Sequence, residues 1–240
     1  MLFLGLIACG KDVLLTTGEL GNINYILETS YQMDEFQLDS AKIATGYPQD
    51  ISASLTPSGW KIVGDEPFLI YHTSPDDIDV QSETLLDGIG VPGFSVRADS
   101  AGEFLIESKK QDELIDQIHL DFVKPDEIAV ISWIRGPEEE SFSLKEGNNI
   151  SVDVGSQAAF IPIPKYDGNR IVGDLEVDIT VEPEGAAVVG YNIESVDEGG
   201  VQFNASPSSI YFVQEGTVDI GATDLVNDVT TYQTFTVTAN

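Results

Sequence analysis

The sequence predicts an all-β protein made of two tandem β-sandwiches behind a short N-terminal export segment. Three observations predict it. Apolar residues alternate with period two along many short runs, a Gly-x-(Lys/Arg)-Ile-Val-Gly-Asp heptapeptide occurs twice, at Gly59 and at Gly168, and no stretch carries a sustained helical pattern.

The first element is the apolar run of MLFLGLIACGKD. Leu2 to Ala8 fall far short of the roughly 20 residues that span a bilayer, and suit the hydrophobic region of a signal peptide. Cys9 is the sole cysteine, so no internal disulfide forms. Leu6-Ile7-Ala8-Cys9 resembles a bacterial lipobox, in which an apolar and a small residue precede a cysteine that receives a diacylglyceryl group. The resemblance implies that residues 1–8 are a signal remnant and that residues 9–21 hold a lipidated Cys9 and a tether. It also implies export to the outer membrane, cell surface or periplasm. The other reading of the same residues is a buried N-terminal strand with Cys9 as a small core side chain.

The next elements are the two copies. Ile62 and Ile171 of the heptapeptides stand 109 positions apart, and Gly46 and Gly155 keep that spacing. Further on, AGEFLIES at Ala101 matches EGTVDIGA at Glu215, and Phe122 is matched to Phe235. The order is preserved with small drifts, which gives sandwiches over residues 22–125 and 126–240, each of ordinary domain size. Within the copies, Leu175, Val177, Ile179 and Val181 alternate with Glu176, Asp178, Thr180 and Glu182. Val218 and Ile220 alternate with Thr217 and Asp219, and Phe235 and Val237 with Thr234, Thr236 and Thr238. Each pattern is a half-buried strand with its polar face in water.

Local readings follow from this frame. The heptapeptide is expected to be a short strand leading into a turn at its glycines. AVISWIRG is read as the first strand of the second copy, with Trp133 in the core. FIPIPKY, carrying Pro162 and Pro164, is expected at a sheet edge. SKKQDELIDQIHLDF is read as a loop and then a strand.

The run TPSGWKIVGDEPFLIYHTSPDDIDV, then AGEFLIES and LDFV, resembles the bacterial immunoglobulin-like group 2 modules of cell-surface proteins. Gly59, Gly102 and Ile106 fill that pattern in the first copy, and Gly168, Gly216 and Ile220 in the second. The resemblance implies immunoglobulin-like sandwiches that present a surface for binding, adhesion or spacing, with no catalytic centre.

Composition limits the partner. Against 41 acidic residues stand 11 basic ones, a formal net charge of -30. Nucleic acid is excluded as a partner, because phosphate binding draws on clustered Lys and Arg, and anionic lipid surfaces are disfavoured for the same reason. The expected partners are the membrane, through lipid on Cys9, and a protein or glycan ligand.

Catalytic candidates are few. The two histidines, His72 and His119, sit in separate predicted strands and read as structural. No zinc-ligand spacing and no G-x-S-x-G elbow is present. No cofactor is expected beyond a candidate calcium ion at Asp76, Asp77 and Asp79. Asp167 with Asn169, and Asp224 with Asn227 and Asp228, are further oxygen-rich turns, and none reproduces the EF-hand spacing. Solvated loop acids are the alternative reading of all three. Trp60 is read as a turn residue at a sheet edge or, if exposed, a surface on which a sugar ring stacks. The leading function is therefore a non-enzymatic exported lipoprotein. The alternatives are a calcium- or carbohydrate-binding sandwich module and, remotely, a hydrolase.

Overall fold

The computed structural model describes residues 13–29, 31, 33, 37–63, 70–74, 78–83, 93–139, 142–145, 149–190 and 209–239. The chain divides into two compact units. Unit 1 is Met1–Pro125 with Tyr166–Asp174, and unit 2 is Asp126–Lys165 with Leu175–Asn240.

In unit 1 the strands are β1 (Val13–Thr17), β2 (Ile23–Glu28), β3 (Lys42–Ala44), β4 (Gln49–Leu55), β5 (Ile70–Thr73), β6 (Asp79–Glu83), β7 (Gly93–Arg97), β8 (Gly102–Lys110) and β9 (Glu113–Val123), with helix α1 (Pro57–Val63) after β4. They form a five-stranded sheet in the order β1-β2-β4-β7-β6 and a four-stranded sheet in the order β3-β9-β8-β5. Among the described residues, the pairings between these strands are antiparallel except β3 with β9, which run parallel. Alternation sets the register: Tyr25, Leu27, Ile51, Ile106, Ile118, Leu120 and Phe122 are buried, and the residues between them are more exposed.

Unit 2 contains β10 (Glu127–Arg135), β11 (Ser143–Lys145), β12 (Asn149–Asp153), β13 (Gln157–Tyr166), β15 (Val177–Glu182), β16 (Ala187–Val189), β17 (Ser209–Phe212), β18 (Gly216–Asp224) and β19 (Thr230–Thr238). A two-residue strand, β14 (Asn169–Arg170), follows β13 after a turn at Asp167 and Gly168, both with positive φ. One sheet has the path β11-β10-β13-β17-β16 and the other is β12-β19-β18-β15. Here too a parallel pairing joins the third strand of the unit to the last, β12 to β19. One core cluster unites the two sheets, with Ile134, Phe160, Ile210 and Phe212 from the first and Ile150, Val218, Ile220, Phe235 and Val237 from the second. The Phe235 ring sits 4.8 Å from Phe212 and 5.7 Å from Phe160, which ties the sheets face to face.

The two units share one topology. In immunoglobulin lettering, β2-β4-β7-β6 and β10-β13-β17-β16 are each an A-B-E-D sheet, and β3-β9-β8-β5 and β12-β19-β18-β15 are each an A′-G-F-C sheet. Both units are immunoglobulin-like sandwiches. They differ at one edge: the strand beside A precedes it in the chain in unit 1 (β1) and follows it in unit 2 (β11). Matching bonds fix the residue correspondence. Gly46 N donates to Ala98 O at 2.7 Å and Gly155 N to Phe212 O at 2.8 Å, with φ of 87° and 91° at the two glycines. Thr45 N donates to Val123 O and Val154 N to Thr238 O. Val123 therefore answers to Thr238, and Phe122 answers to Val237 rather than to Phe235.

Several local expectations are corrected. Both heptapeptides fall in the connection between strands B and C, yet they adopt different conformations. Residues 59–63 of the first lie within α1, where Ile62 is 43% exposed, and its last two residues lie outside the described residues; the second places Ile171 and Val172 in the interior of unit 1. The helix follows from Thr56-Pro57: the Thr56 hydroxyl accepts from Gly59 N at 3.2 Å as an N-cap, and Pro57 takes the first helical position, where its missing N–H has no cost. Val172 instead runs parallel to Ile43, with Ala44 N donating to Val172 O and Val172 N to Lys42 O. Tyr31 donates its hydroxyl to Ile171 O at 2.6 Å and reaches Gly173 O at 3.1 Å.

Of the tether expected over residues 9–21, Val13–Thr17 is strand β1, paired with Asn24–Glu28, and residues 18–21 are the turn into β2. SKKQDELIDQIHLDF is the β8–β9 hairpin almost throughout. β13 is central for Gln157–Ala159, which lie between β10 and β17; Pro162 and Pro164, in the stretch expected at an edge, pair with β10 and lie beyond the residues that pair with β17, and β14 also pairs with β13. Trp133 packs with Phe142 and Ala159 in a small separate cluster, because Ser132 and Ile134 on either side of it point inward.

Candidate functional site

Inside unit 1 the sandwich holds a polar cluster. Ser108 Oγ of β8 lies 2.7 Å from the Tyr25 hydroxyl and 2.9 Å from His72 Nδ1, and all three residues are buried. The His72 ring lies over Phe94 at 4.4 Å, which joins the two sheets. Burial pushes the Tyr25 phenol well above its ordinary value, against the smaller lowering effect of Ser108, so the hydroxyl keeps its proton. A serine beside a histidine is a nucleophile arrangement only where a substrate reaches it; here the pair is closed in by aromatic rings and strands. The register places Val130, Ala222 and Ile179 at the equivalent positions of unit 2, where they belong to an apolar interior. Conversely, Leu27 and Ile118 of unit 1 are answered by Ser132 and Gln233, whose side chains bond at 2.5 Å.

Asp116 carries the second buried polar feature. Its carboxylate accepts from the backbone N–H of Leu20, Asn22, Ile23 and Gln117 at 2.8, 2.7, 2.7 and 2.9 Å. Asn22 Nδ2 returns a bond to Ile115 O, so the turn between β1 and β2 is clasped to β9. Gly18 is required beside it, since a Cβ there would meet Asp116 Oδ2 at 2.6 Å. Nearby, Glu19 accepts from Gln117 Nε2 at 2.6 Å and lies 2.5 Å from His119 Nδ1. The bonds from Gln117 and then His119 hold the Glu19 carboxyl below the usual carboxylate range. Both histidines thus serve contacts within unit 1.

The predicted ligand residues are scattered. Cys9, Asp76 and Asp77 lie outside the described residues. Asp79 begins β6, exposed, and accepts from Gln81 Nε2 at 3.1 Å. Asp224 is a turn clasp: Oδ1 accepts from the N–H of Val226 and Asn227, and Oδ2 from Asn227 Nδ2. Asn169 Nδ2 bonds back to Asp167 O across its own turn. No group of three or more His, Cys, Asp or Glu positioned for a metal occurs among the described residues. Trp60 is 54% exposed on α1 rather than at a strand edge. Among the described residues, no helix is long and apolar enough to cross a membrane.

Among the described residues, the aromatic ring with the highest fractional exposure lies elsewhere, on the outer face of the β12-β19-β18-β15 sheet. Because Gln233, Phe235 and Val237 point inward, Thr230, Tyr232, Thr234, Thr236 and Thr238 point out, and Tyr232 is 63% exposed. Tyr232 pairs across the strands with Gly221, and Gly221 pairs on its other side with Thr180. A Cβ at Gly221 would stand 3.0 Å from Tyr232 Cε1 and 3.3 Å from Cδ1, and closer still to Thr180 Oγ1. The ring therefore rests on the glycine, which is buried although it lies on the outer face. Flanking it, Thr234 Oγ1 donates to Asp219 Oδ1 at 2.6 Å and the hydroxyls of Thr223 and Thr230 lie 2.9 Å apart. The four strands of this sheet contain no Lys or Arg. Extending the Thr-x-Thr alternation of TTYQTFTVT backwards from Thr234 was the signal that places Tyr232 on this face.

No family model matches the chain, and no curated protein matches it. Among solved structures, the chain is similar to domains 5-6 of the S-layer protein SbsC, at 14% identity and a TM-score of 0.35, over 95% of this chain and 100% of that one. It is also similar to FdeC, an adhesin of Escherichia coli, at 10% identity and a TM-score of 0.30, over 100% of this chain and 67% of that one. A third is a 282-residue C-terminal fragment of intimin in complex with the intimin-binding domain of the translocated intimin receptor, at 13% identity and a TM-score of 0.31, over 87% of this chain and 64% of that one. Superpositions this loose transfer neither a site nor a partner.

Proposed function

We propose that the chain is a non-enzymatic, exported binding protein, anchored by lipid on Cys9, that presents immunoglobulin-like sandwiches to a ligand. The observation that carries this reading is the division of polar groups in the described residues. The polar side chains buried in the sandwiches, Tyr25, His72, Ser108, Asp116 and Asp224, hold sheets and turns together. The exposed sheet faces and turns carry the acids, hydroxyls and aromatic rings that a ligand meets. Only Gly10, Lys11 and Asp12 separate Cys9 from β1, a reach of about 14 Å at full extension. The first module would then be held close to the bilayer rather than on a long stalk.

The test is retention of particles coated with the full chain on cell surfaces and surface extracts, against particles coated with an unrelated protein of equal negative charge. The reading expects retention above that control. Equal retention on every surface overturns it.

A further inference from the structure

We infer that the outer face of the β12-β19-β18-β15 sheet binds a neutral polysaccharide, with the Tyr232 ring as its stacking platform; this rests on the reading of the chain as a binding module and names its ligand class.

Four features of the face lead there. The ring is broad and exposed, and its edge atoms occupy the space that any side chain at position 221 would fill. Such a ring offers the C–H face of a pyranose an apolar contact, at the low ordering cost of a side chain with two rotatable bonds. The Asp219–Thr234 and Thr223–Thr230 pairs stand two residues to either side, ~7 Å along the strands, where the hydroxyl rim of a sugar chain would pass. Asp178 and Glu182 lie opposite Thr223 and Asp219 on the edge strand β15 and add carboxylate acceptors for sugar hydroxyls. With no cation on these strands, uronate, sulfate and phosphate groups would meet only like charge, which restricts the class to neutral chains.

Unit 1 shows that the fold does not demand this arrangement. Its strands place Glu107 and Gln117 at the positions of Gly221 and Tyr232, with Thr73 at that of Thr180, and Lys109 bonds Glu107 at 2.6 Å. The same topology is thus satisfied by a charged and an amide side chain. The glycine and tyrosine of unit 2 are a local departure that creates a flat aromatic surface.

The experiment is affinity electrophoresis of the full chain through gels holding soluble β-glucan, arabinoxylan, galactomannan or starch, with polygalacturonate as the anionic control. Tyr232→Leu keeps an apolar cover over Gly221 and removes the aromatic face; Tyr232→Phe keeps both. The expected result is retardation by at least one neutral polysaccharide, affinity reduced about tenfold in Tyr232→Leu, and affinity unchanged in Tyr232→Phe, with all three proteins melting within a few degrees of one another. Retardation of Tyr232→Leu equal to that of the unmodified chain overturns the inference, as does equal retardation by polygalacturonate. Absence of retardation in every gel, alongside retention of coated particles on cells, overturns the sugar site and leaves the binding reading standing. Absence of both overturns the two together.

Discussion

Ser108 Oγ lies 2.9 Å from His72 Nδ1 inside the first sandwich, and Ala222 and Ile179 hold the same two positions in the second. One topology therefore accepts a hydrogen-bonded polar cluster or an apolar one, provided that the whole cluster changes together. Ser108→Ala alone leaves the buried Tyr25 hydroxyl and His72 Nδ1 without that partner and should cost about 1–3 kcal/mol in urea unfolding. Ala222→Ser buries a hydroxyl beside Ile179 and Val130 and should cost a similar ~1–3 kcal/mol. A neutral result in both variants would contradict the equivalence.

Asp116 organises the turn that docks β1. Asp116→Asn keeps one acceptor oxygen and turns an amide N–H₂ toward backbone donors, so the four bonds cannot all be kept. The expected loss is about 3 kcal/mol, read from denaturant midpoints at constant slope. Increased amide exchange at Leu20, Asn22 and Ile23 should accompany it.

Glu19 gives a small acid dependence with a defined sign. Its folded carboxyl is depressed from the ordinary value of 4.5, chiefly by the bond from Gln117, so its contribution is present above the unfolded value. That contribution is lost as pH falls below about 4.5 through the folded value. Since the side chain is 44% exposed, solvent screening keeps the effect below about 1 kcal/mol. Glu19→Gln should flatten this part of the stability profile and leave the region above pH 5, roughly, parallel to that of the unmodified protein.

Net charge of -30 makes the folded state self-repelling. Sodium chloride should raise the melting temperature, and calcium at matched ionic strength should raise it no further. A larger effect of calcium, abolished by replacing Asp76, Asp77 and Asp79 with Asn, would establish the cation site instead.

The strands of the second copy were legible because alternation reports burial directly: Val218, Ile220, Phe235 and Val237 are interior, and Thr217, Thr236 and Thr238 are exposed. The B–C connections were not legible from their shared heptapeptide. Its Ile-Val pair suits a strand, and Thr56-Pro57 just upstream overrides that preference by starting a helix. Conformation here depends on a cap outside the repeated residues, and the burial of Ile171 and Val172 goes with contacts to Tyr31 and Ile43, respectively, distant in sequence. Asp116 stands at an inward position of β9, where an aliphatic residue is the usual occupant, and alternation alone does not show the turn that its carboxylate clasps. Tyr232 was legible in its strand pattern, while the glycine beneath it became visible only once the register of β18 and β19 was known.

The central claim is that an exposed surface, and not the enclosed Ser108–His72 pair, carries function. It is tested most directly by measuring retention of the unmodified chain, Ser108→Ala and Tyr232→Leu on the same neutral polysaccharide, with folding of each verified by its melting transition. The account predicts that Ser108→Ala binds as the unmodified chain does and that Tyr232→Leu binds about tenfold more weakly. Loss of binding in folded Ser108→Ala with full binding in Tyr232→Leu would contradict it.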